Sequence, residues 1–488
     1  MNQSILLLRA VPLLAGALGL AGCAMLPKGI PTAEKTPLPP MEKTLAAGSH
    51  LQAAPEWTRP LWWKELRCSE LDRIVDEALS GNPGLRAAAD RIRLSWAMAV
   101  HERGRLLPSL EGRPWLLNDS LGVWQVPGSS FFGPFGGRSF AFADYSPAFL
   151  TYHVDLWGQD RSRIRAAVGE ARAAMAEFAL AQLTLSATLA RRYIELVSRT
   201  EEEEIVRKMA SELEQDLALV RSRHRRAGID TLLPVYALEQ RLEATRQRER
   251  ILERENALLR DEIAALAGKG PDWGRTIPIT VASFPKRFPL PSSVPLELLS
   301  HRPDVAVTLW RVESAAQRVR VAKTAFYPNI DLVGFAGFQT LNMATILLAP
   351  AQAFMYMAGP AITLPLFERG QLTARLVAEQ EEYNIAVERY NDAVLGAARS
   401  VADALAHWKE SVETLSAQDR ALSAADRFAR LTDSRYKAGI ATRIDQIEAT
   451  LTAREQELRL SSLTASHLES VVALHEALGG GYQSQAAP

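Results

Sequence analysis

Two long stretches without proline, Arg161 to Arg225 and Gln371 to Arg435, constrain this chain more than any other feature. Each covers about 65 residues, roughly 95 Å if it is one continuous helix at ~1.5 Å per residue. In the second stretch Leu376, Tyr383, Tyr390, Ala397 and Ala404 recur at seven-residue spacing. Ala386, Ala393 and Val401 lie between them, and Glu379, Glu381, Glu382, Glu388 and Arg389 occupy other faces. This pattern predicts helices packed side by side in coiled-coil fashion, with alanine-rich seams that allow close approach. By themselves such heptads fit a filamentous or tethering coiled coil equally well.

The stretches belong to an internal repeat. Pro83 and Pro108 stand 25 positions apart, as do Pro303 and Pro328, and each pair brackets a helical segment, Leu85 to Leu107 and Val305 to Phe326. Strand-like segments follow, Ser109 to Gly112 and Asn329 to Leu332. Leu156-Trp157-Gly158 then corresponds to Leu366-Phe367-Glu368, Arg226-Ala227-Gly228 to Lys437-Ala438-Gly439, and Leu266-Ala267-Gly268 to Leu478-Gly479-Gly480. The order is helix, strand, loop, strand, long helix, glycine turn, return helix, twice over. The return helices, Pro234 to Ala267 and Arg443 to Leu478, are each about half as long as their partners.

The segments between the prolines argue against a pure coiled coil. From Phe149 onward Leu150, Tyr152, Val154 and Leu156 alternate with Thr151, His153 and Asp155. Ile362, Leu364 and Leu366 alternate with Ala361, Thr363 and Pro365, and no charged residue occurs from Leu332 to Phe367. Such strands fit the wall of a membrane β-barrel, or a soluble hairpin with one buried face. Trp115, Trp124, Phe131, Phe132, Tyr145 and Tyr152 fit an interfacial aromatic girdle or a buried patch. Two hairpins supply four strands, and an open sheet leaves its edges unsatisfied in hydrocarbon, so a barrel requires several copies of the chain.

The first residues bear on the same choice. Ala10 to Ala21 is apolar and too short for a stable membrane span, and Leu20-Ala21-Gly22-Cys23 has the form of a bacterial lipoprotein signal. An ordinary signal peptide that happens to contain a cysteine is the alternative. If Cys23 carries acyl chains, each buried methylene adds ~0.8 kcal/mol of anchoring. Ala24 in place of aspartate points to the outer membrane rather than to retention at the inner one. Pro27 to Pro60, with six prolines at 31, 37, 39, 40, 55 and 60 between those ends inclusive of the last, reads as an extended linker. With Cys23 acylated, Cys68 has no partner for an intramolecular disulfide, so stability rests on packing.

Lys plus Arg and Asp plus Glu are 56 each, which supplies no basic surface for nucleic acid. The eight histidines include no His-Glu-x-x-His pattern. Glycines 128, 133, 136 and 137 lack the lysine and context of a phosphate loop. No catalytic residue, cofactor or metal is therefore expected. Asp155 with His153 is read as part of a strand, where a polar role facing a lumen competes with local hydrogen bonding and with a metal site.

In this order, the motifs resemble those of the TolC-like outer-membrane efflux factors, and specifically the NodT-type lipoprotein branch that accompanies resistance-nodulation-division pumps. The residues that carry the resemblance are the lipobox at Cys23, Trp62-Trp63, Ala78 to Pro83, Val154 to Gly158, Leu298 to Asp304, Ala322 to Pro328, Leu364 to Gly370 and Ala477 to Gly481. His301 stands where the family usually has a first arginine. The resemblance implies a mixed α/β membrane protein built from a duplicated unit of long helices and a β-hairpin. Three chains would close a 12-stranded outer-membrane β-barrel that a periplasmic 12-helix α-barrel continues. It further implies a passive duct for small toxic compounds, joined through a periplasmic adaptor to an inner-membrane pump. The expected organisation is a signal peptide at 1–22, an acylated cysteine and linker at 23–60, repeats at 61–297 and 298–481, and a tail at 482–488. The hairpins are expected at about 109–156 and 329–366. By position, Asp433 and Arg435 resemble the family's aperture gate, and Ala227-Gly228 and Ala438-Gly439 its adaptor-docking turns. A solvated charge cluster and plain helix termination are the respective alternatives, and a lipid-anchored periplasmic tether is the alternative for the whole chain.

Overall fold

The computed structural model describes residues 31–37, 39, 61–112, 121–125, 139–227, 232–279, 284, 302–340, 348, 350–365 and 367–482. After a 3-10 turn at Trp62–Leu66 come α1 (Ser69–Gly81), α2 (Pro83–Arg103) and, past a second 3-10 turn, β1 (Ser109–Gly112), β2 (Leu121–Gln125) and β3 (Ser139–His153). The chain continues with α3 (Gln159–Ala227), α4 (Leu233–Leu266), the short α5 (Pro271–Arg275) and α6 (Pro303–Thr324). It ends with β4 (Asn329–Thr340), the short α7 (Pro350–Ala353), β5 (Phe354–Thr363), α8 (Arg369–Lys437) and α9 (Arg443–Ala477). α3 and α8 are each 69 residues long, and the return helices α4 and α9 are 34 and 35. Two compact units result, one from Met1–Lys35, Ile92–Ala173 and Leu309–Arg389, the other from Thr36–Arg91, Ala174–Thr308 and Tyr390–Pro488. Each draws on both sequence repeats.

The first unit holds the sheet. Its order is β1-β3-β4-β5, with β2 pairing β3 beyond β1, and every described ladder is antiparallel. Five segments thus occupy four strand positions, and the two hairpins meet where β3 pairs β4. The register of β3 on β4 shifts between Tyr145 and Ala148. Pro147 lies within that shift, where a bulge tolerates a residue with no amide hydrogen. Pro360 sits in β5, which has no strand on its far side among the described residues. Proline is at home on such an edge.

The register assigns the two faces. Leu110 pairs Leu150, Tyr152 pairs Leu332, Ala336 pairs Tyr356, Phe338 pairs Phe354 and Ile330 pairs Ile362, so these residues share one face. Leu110, Leu150, Leu332, Phe354, Tyr356 and Ile362 are all exposed there. The opposite face carries Ser109, Glu111, Thr151, His153, Asp331 and Thr363 among its residues. An apolar outer surface backed by a partly polar one is the pattern of a membrane β-wall, not of a soluble hairpin that hides its apolar side.

Two strand boundaries differ from expectation. β3 stops at His153, so Val154 to Leu156 do not continue the alternation. Val154 N–H bonds to the Ile330 carbonyl, Leu156 N–H turns back to Val154, and Gly158 at φ +76 leads into α3. β5 occupies Phe354–Thr363, upstream of the alternation expected through Leu366. Apolar residues on both sides of Phe354–Met357 hide period two where the strand begins.

In the second unit Trp62, Trp63 and Leu66 pack with Leu71, Ile74 and Val75 of α1. Leu189, Tyr193 and Ile194 of α3, Ile263 of α4 and Val472 of α9 complete this core. By length and composition α3 contains a window apolar enough to cross a membrane. Part of that apolar surface is the packing face just named. α4 ends at Gly268, whose φ of +70 and close approach to the Gly81 carbonyl exclude a side chain. The Asn82 amide donates to the Leu266 carbonyl at 2.8 Å, tying the ends of α1 and α4 together.

The α8 stripe is offset from expectation. Leu376, Ala397, Val401 and Ala404 are buried as expected, but the intermediate layer is Val387 and Val394 rather than Ala386 and Ala393. Spacings of four then three, from 383 through 387, 390, 394, 397, 401 and 404 to Trp408, make an unbroken heptad seam. Val394, Val401 and Trp408 pack with Val471 and Leu474 of α9.

Candidate functional site

The turn between α8 and α9 is built by backbone hydrogen bonds. Ile440 N–H donates to the Arg435 carbonyl at 2.9 Å and Ala438 N–H to Ser434 at 3.1 Å, while Gly439 adopts φ +74. That left-handed cap satisfies carbonyls which the helix end leaves open. α9 starts with a capping box: Thr442 Oγ1 accepts from Asp445 N–H at 3.2 Å, and the Asp445 carboxylate accepts from Thr442 N–H at 2.8 Å. The Thr442 hydroxyl also donates to the Asp445 carboxylate at 2.7 Å, and this bond, together with the one from Thr442 N–H, holds the Asp445 carboxyl below its ordinary range, helped by the field of Arg435.

Charged side chains surround this turn. Asp433 accepts from Lys437 Nζ at 2.7 Å and from the Gln446 amide. Arg443 pairs with Asp216 of α3, bonds the Gln446 side-chain oxygen, and stands 5.5 Å from the centre of the Tyr436 ring. Farther along α9, Arg454 pairs with Glu212 at 2.8 Å, and Gln418 donates to the Gln456 carbonyl at 3.0 Å. α9 is therefore tied alternately to α3 and α8. Phe428, Leu431 and Ile440 are exposed beside the turn, as are Leu233 and Tyr236 at the start of α4.

Of the sequence-predicted gate pair, Asp433 lies in this cluster with partners from its own chain. The Arg435 side chain is exposed and its carbonyl caps the helix. Ala438 and Gly439 are exposed in the turn, and Ala227 is the last residue of α3. Gly228 and Cys23 lie outside the described residues. Sequence reasoning missed Asp216, Arg443 and Gln446. Asp216 carried a usable signal, a carboxylate inside the apolar run Leu213, Leu217 and Val220.

A second cluster lies where β3 leads to α3. His153 Nδ1 is 2.8 Å from Asp331 and its Nε2 is 3.8 Å from Asp160. One ligand atom each from His153, Asp155 and Asp160 falls within 4.8 Å of the others. The expected strand position and lumen-facing role of Asp155 are not what the structure shows. Its two oxygens accept from the backbone N–H groups of Asp160 and Arg161, both at 3.1 Å, so it caps α3. Arg163 bonds Asp160 at 3.1 Å and Arg161 stands 3.6 Å from Asp155. Two guanidinium groups and the positive end of a helix oppose a cation there. The local hydrogen-bonding reading holds, and the residues do not fit a metal site.

A chain that combines a sheet with an apolar outer face and two duplicated long helical hairpins has the build of a TolC-like outer-membrane channel. Residues 74–268 and 294–480 match the family described as "Outer membrane efflux protein", and the chain belongs to that family. It is 32% identical over 373 residues to the fusaric acid resistance protein FusA of Burkholderia cepacia, covering 76% of this chain and 68% of that one. It is 26% identical over 495 residues to the multidrug resistance outer membrane protein MdtP of Escherichia coli K12, covering 99% and 98%. The solved structure of the outer membrane protein VceC from Vibrio cholerae superimposes with a TM-score of 0.76 at 26% identity, covering 88% of this chain and all (100%) of that one. The outer-membrane channel OprN gives 0.80 at 24% identity, covering 94% and 99%. The chain is the outer-membrane channel component of a TolC-like efflux system. It is a passive conduit, not an enzyme, and works with a periplasmic adaptor and an inner-membrane pump.

Proposed function

We propose that three copies of this chain close a 12-stranded barrel and a 12-helix periplasmic duct for small toxic compounds. The observation that carries this reading is the four-position sheet with an apolar face and two edges, β1–β2 on one side and β5 on the other, that pair with no further strand among the described residues. In hydrocarbon those edges need partners, and further copies of the same edges supply them. FusA and MdtP carry the names of drug or toxin resistance proteins, which favours small toxic cargo here. On the lipobox, the chain belongs to the NodT-type lipoprotein branch, with Cys23 acylated after removal of residues 1–22. The repeats run over 61–297 and 298–481, with the linker at 23–60 and the tail at 482–488.

The aperture lies at the α8–α9 turn. Asp433 and Arg435 are its gate residues, and the Arg443–Asp216 pair holds α9 against α3 in the closed state. Ala227-Gly228 and Ala438-Gly439 receive the adaptor, whose apolar side chains meet Phe428, Leu431 and Ile440. The test is planar-bilayer conductance of the purified acylated protein, with its oligomer mass measured in the same detergent. A trimer with small channels, and a several-fold larger conductance for Asp433→Asn, is expected. Unchanged single-channel conductance would remove Asp433 from the gate. A monomer or a non-conducting coiled-coil oligomer would instead point to the lipid-anchored tether.

A further inference from the structure

Basic side chains are matched differently in the two units. In the second unit arginines face carboxylates across the helical hairpin, Arg192 with Glu262, Arg207 with Glu249 and Arg221 with Glu239. The first unit differs where its helices meet the sheet. Ser109 pairs Thr151, Asn329 pairs Thr363 and Asp331 pairs His153, so β1 and β4 begin where β3 and β5 end. The carboxyl ends of α2 and α6 and the amino ends of α3 and α8 therefore gather at one end of the sheet. Arg103, Arg165, Arg320, Lys323, Arg369 and Arg375 lie there, no more than six residues from those helix ends. All six are exposed, and none forms an ion pair among the described residues.

The acids at the same ends are mostly engaged. Glu102 pairs Arg105 at 2.7 Å, Glu170 pairs Arg318 at 2.9 Å, buried Asp160 bonds Arg163, and Asp155 caps α3. Glu368, exposed before α8, stands against the six cations. Apolar side chains share the junction. Leu107, Trp157 and Phe367 are exposed, and Trp157 is fixed by stacking on Tyr327 with centroids 4.9 Å apart and by donating to the Pro328 carbonyl at 2.8 Å. Beyond them the sheet presents Leu110, Leu150, Leu332 and Ile362 on its apolar face. Six helical residues span about 9 Å. The headgroup layer on each side of a bilayer core is about 5–8 Å deep, and lysine and arginine stems lie along apolar surface with their charges in that layer.

We propose that these six side chains form a belt that binds anionic phospholipid headgroups of the periplasm-facing leaflet. The helices are periplasmic, so the end of the sheet that they meet lies at that leaflet. Phosphatidylglycerol suits the belt because its phosphate charge is uncompensated, whereas a zwitterionic headgroup brings a cation of its own. Lipid held there fixes the height of the sheet in the bilayer. The belt rests on the sheet being a membrane wall, and not on the number of chains that close it.

The test uses full-length protein in nanodiscs of phosphatidylcholine and phosphatidylglycerol, equal in amount and in acyl chains. Native mass spectrometry of the released protein counts the lipids retained. Phosphatidylglycerol is expected to exceed phosphatidylcholine about fivefold or more. Arg165→Gln with Arg320→Gln and Arg369→Gln is expected to lower that ratio about fivefold, and Arg103→Gln with Lys323→Gln and Arg375→Gln to act likewise. Arg248→Gln with Arg250→Gln and Arg254→Gln removes the same charge from exposed positions on α4 and is expected to leave the ratio unchanged. A parental ratio near one, or belt variants that keep the parental ratio, overturns the belt. An equal loss in the α4 variant overturns it too, since net charge would then be the cause. Belt variants that shift ion selectivity in planar bilayers but not lipid retention place the charges in the lumen and also overturn it. A fluorophore on Tyr356→Cys reads the wall separately: quenching by doxyl-labelled phosphatidylcholine is expected, and its absence overturns the wall and the belt together.

Discussion

Single residues near the α8–α9 turn carry more than the heptads announce. Arg443 and Asp216 are mostly buried partners, so removing one leaves the other charged and poorly solvated. Arg443→Gln or Asp216→Asn alone should each cost on the order of 1–3 kcal/mol, and the double variant less than the sum. Thermal unfolding followed by helical circular dichroism measures the cycle; additive losses would show that the two side chains do not interact. His475 offers a pH signature. It is 2% exposed and stacks on Trp62 with centroids 5.3 Å apart. Glu65 at 3.6 Å would favour the imidazolium, but burial outweighs it and pushes the pKa down to about 4. The folded chain thus keeps His475 neutral where the unfolded chain, titrating near 6.5, takes up a proton. Stability therefore falls as pH drops from about 6.5 to about 4, by ~1.4 kcal/mol per pH unit for this group. Burial lowers the pKa of His467 as well, which adds to the same slope. His475→Gln should remove part of the slope in melting temperature against pH, and an unchanged slope would mean that His475 is not its source.

Elements show how far the sequence could be read and where it stopped. The expected long helices, Arg161 to Arg225 and Gln371 to Arg435, fall short of α3 and α8 by two residues at each end, because proline-free length and glycine turns are local signals. The stripe on α8 was legible at Leu376, Ala397 and Ala404 but slipped at Ala386 and Ala393. In an alanine-rich helix, either neighbour fits an apolar layer until the partner helix decides between them. β5 was placed too late for a similar reason, since Phe354, Met355, Tyr356 and Met357 show no alternation. The cluster at the α8–α9 turn was only half visible. Asp433 could be placed by its distance from Gly439, but its partner Gln446 and the Arg443–Asp216 pair depend on which helices meet, which no spacing along one chain reveals. The corrected stripe predicts that Val394→Ala, against Val471 and Leu474, costs about 2 kcal/mol, and that Ala393→Ser costs well under that. Equal losses in thermal unfolding would restore the alanine layer.

For the whole molecule, the assignment of the two sheet faces decides whether the sheet sits in lipid as the proposed barrel requires. Tyr356 and Met357 are consecutive in β5 and point to opposite sides. Tyr356, 77% exposed, shares its face with Ala336, Phe338 and Phe354, and Met357 shares the other with Phe335 and Val333. A charge on the lipid face must leave water for hydrocarbon, at ~2–4 kcal/mol near mid-membrane, while a charge facing a water-filled lumen pays little. Tyr356→Arg should therefore reduce insertion into outer-membrane vesicles and lower the denaturant midpoint of the inserted protein. Met357→Arg should insert as the parent does and change cation–anion selectivity instead. Because the substitutions are adjacent and chemically identical, strand propensity and expression affect both alike, so a difference between them reports the face. Equal damage from both would mean that neither face meets water, and the reading of the sheet as one wall of an aqueous channel would fail.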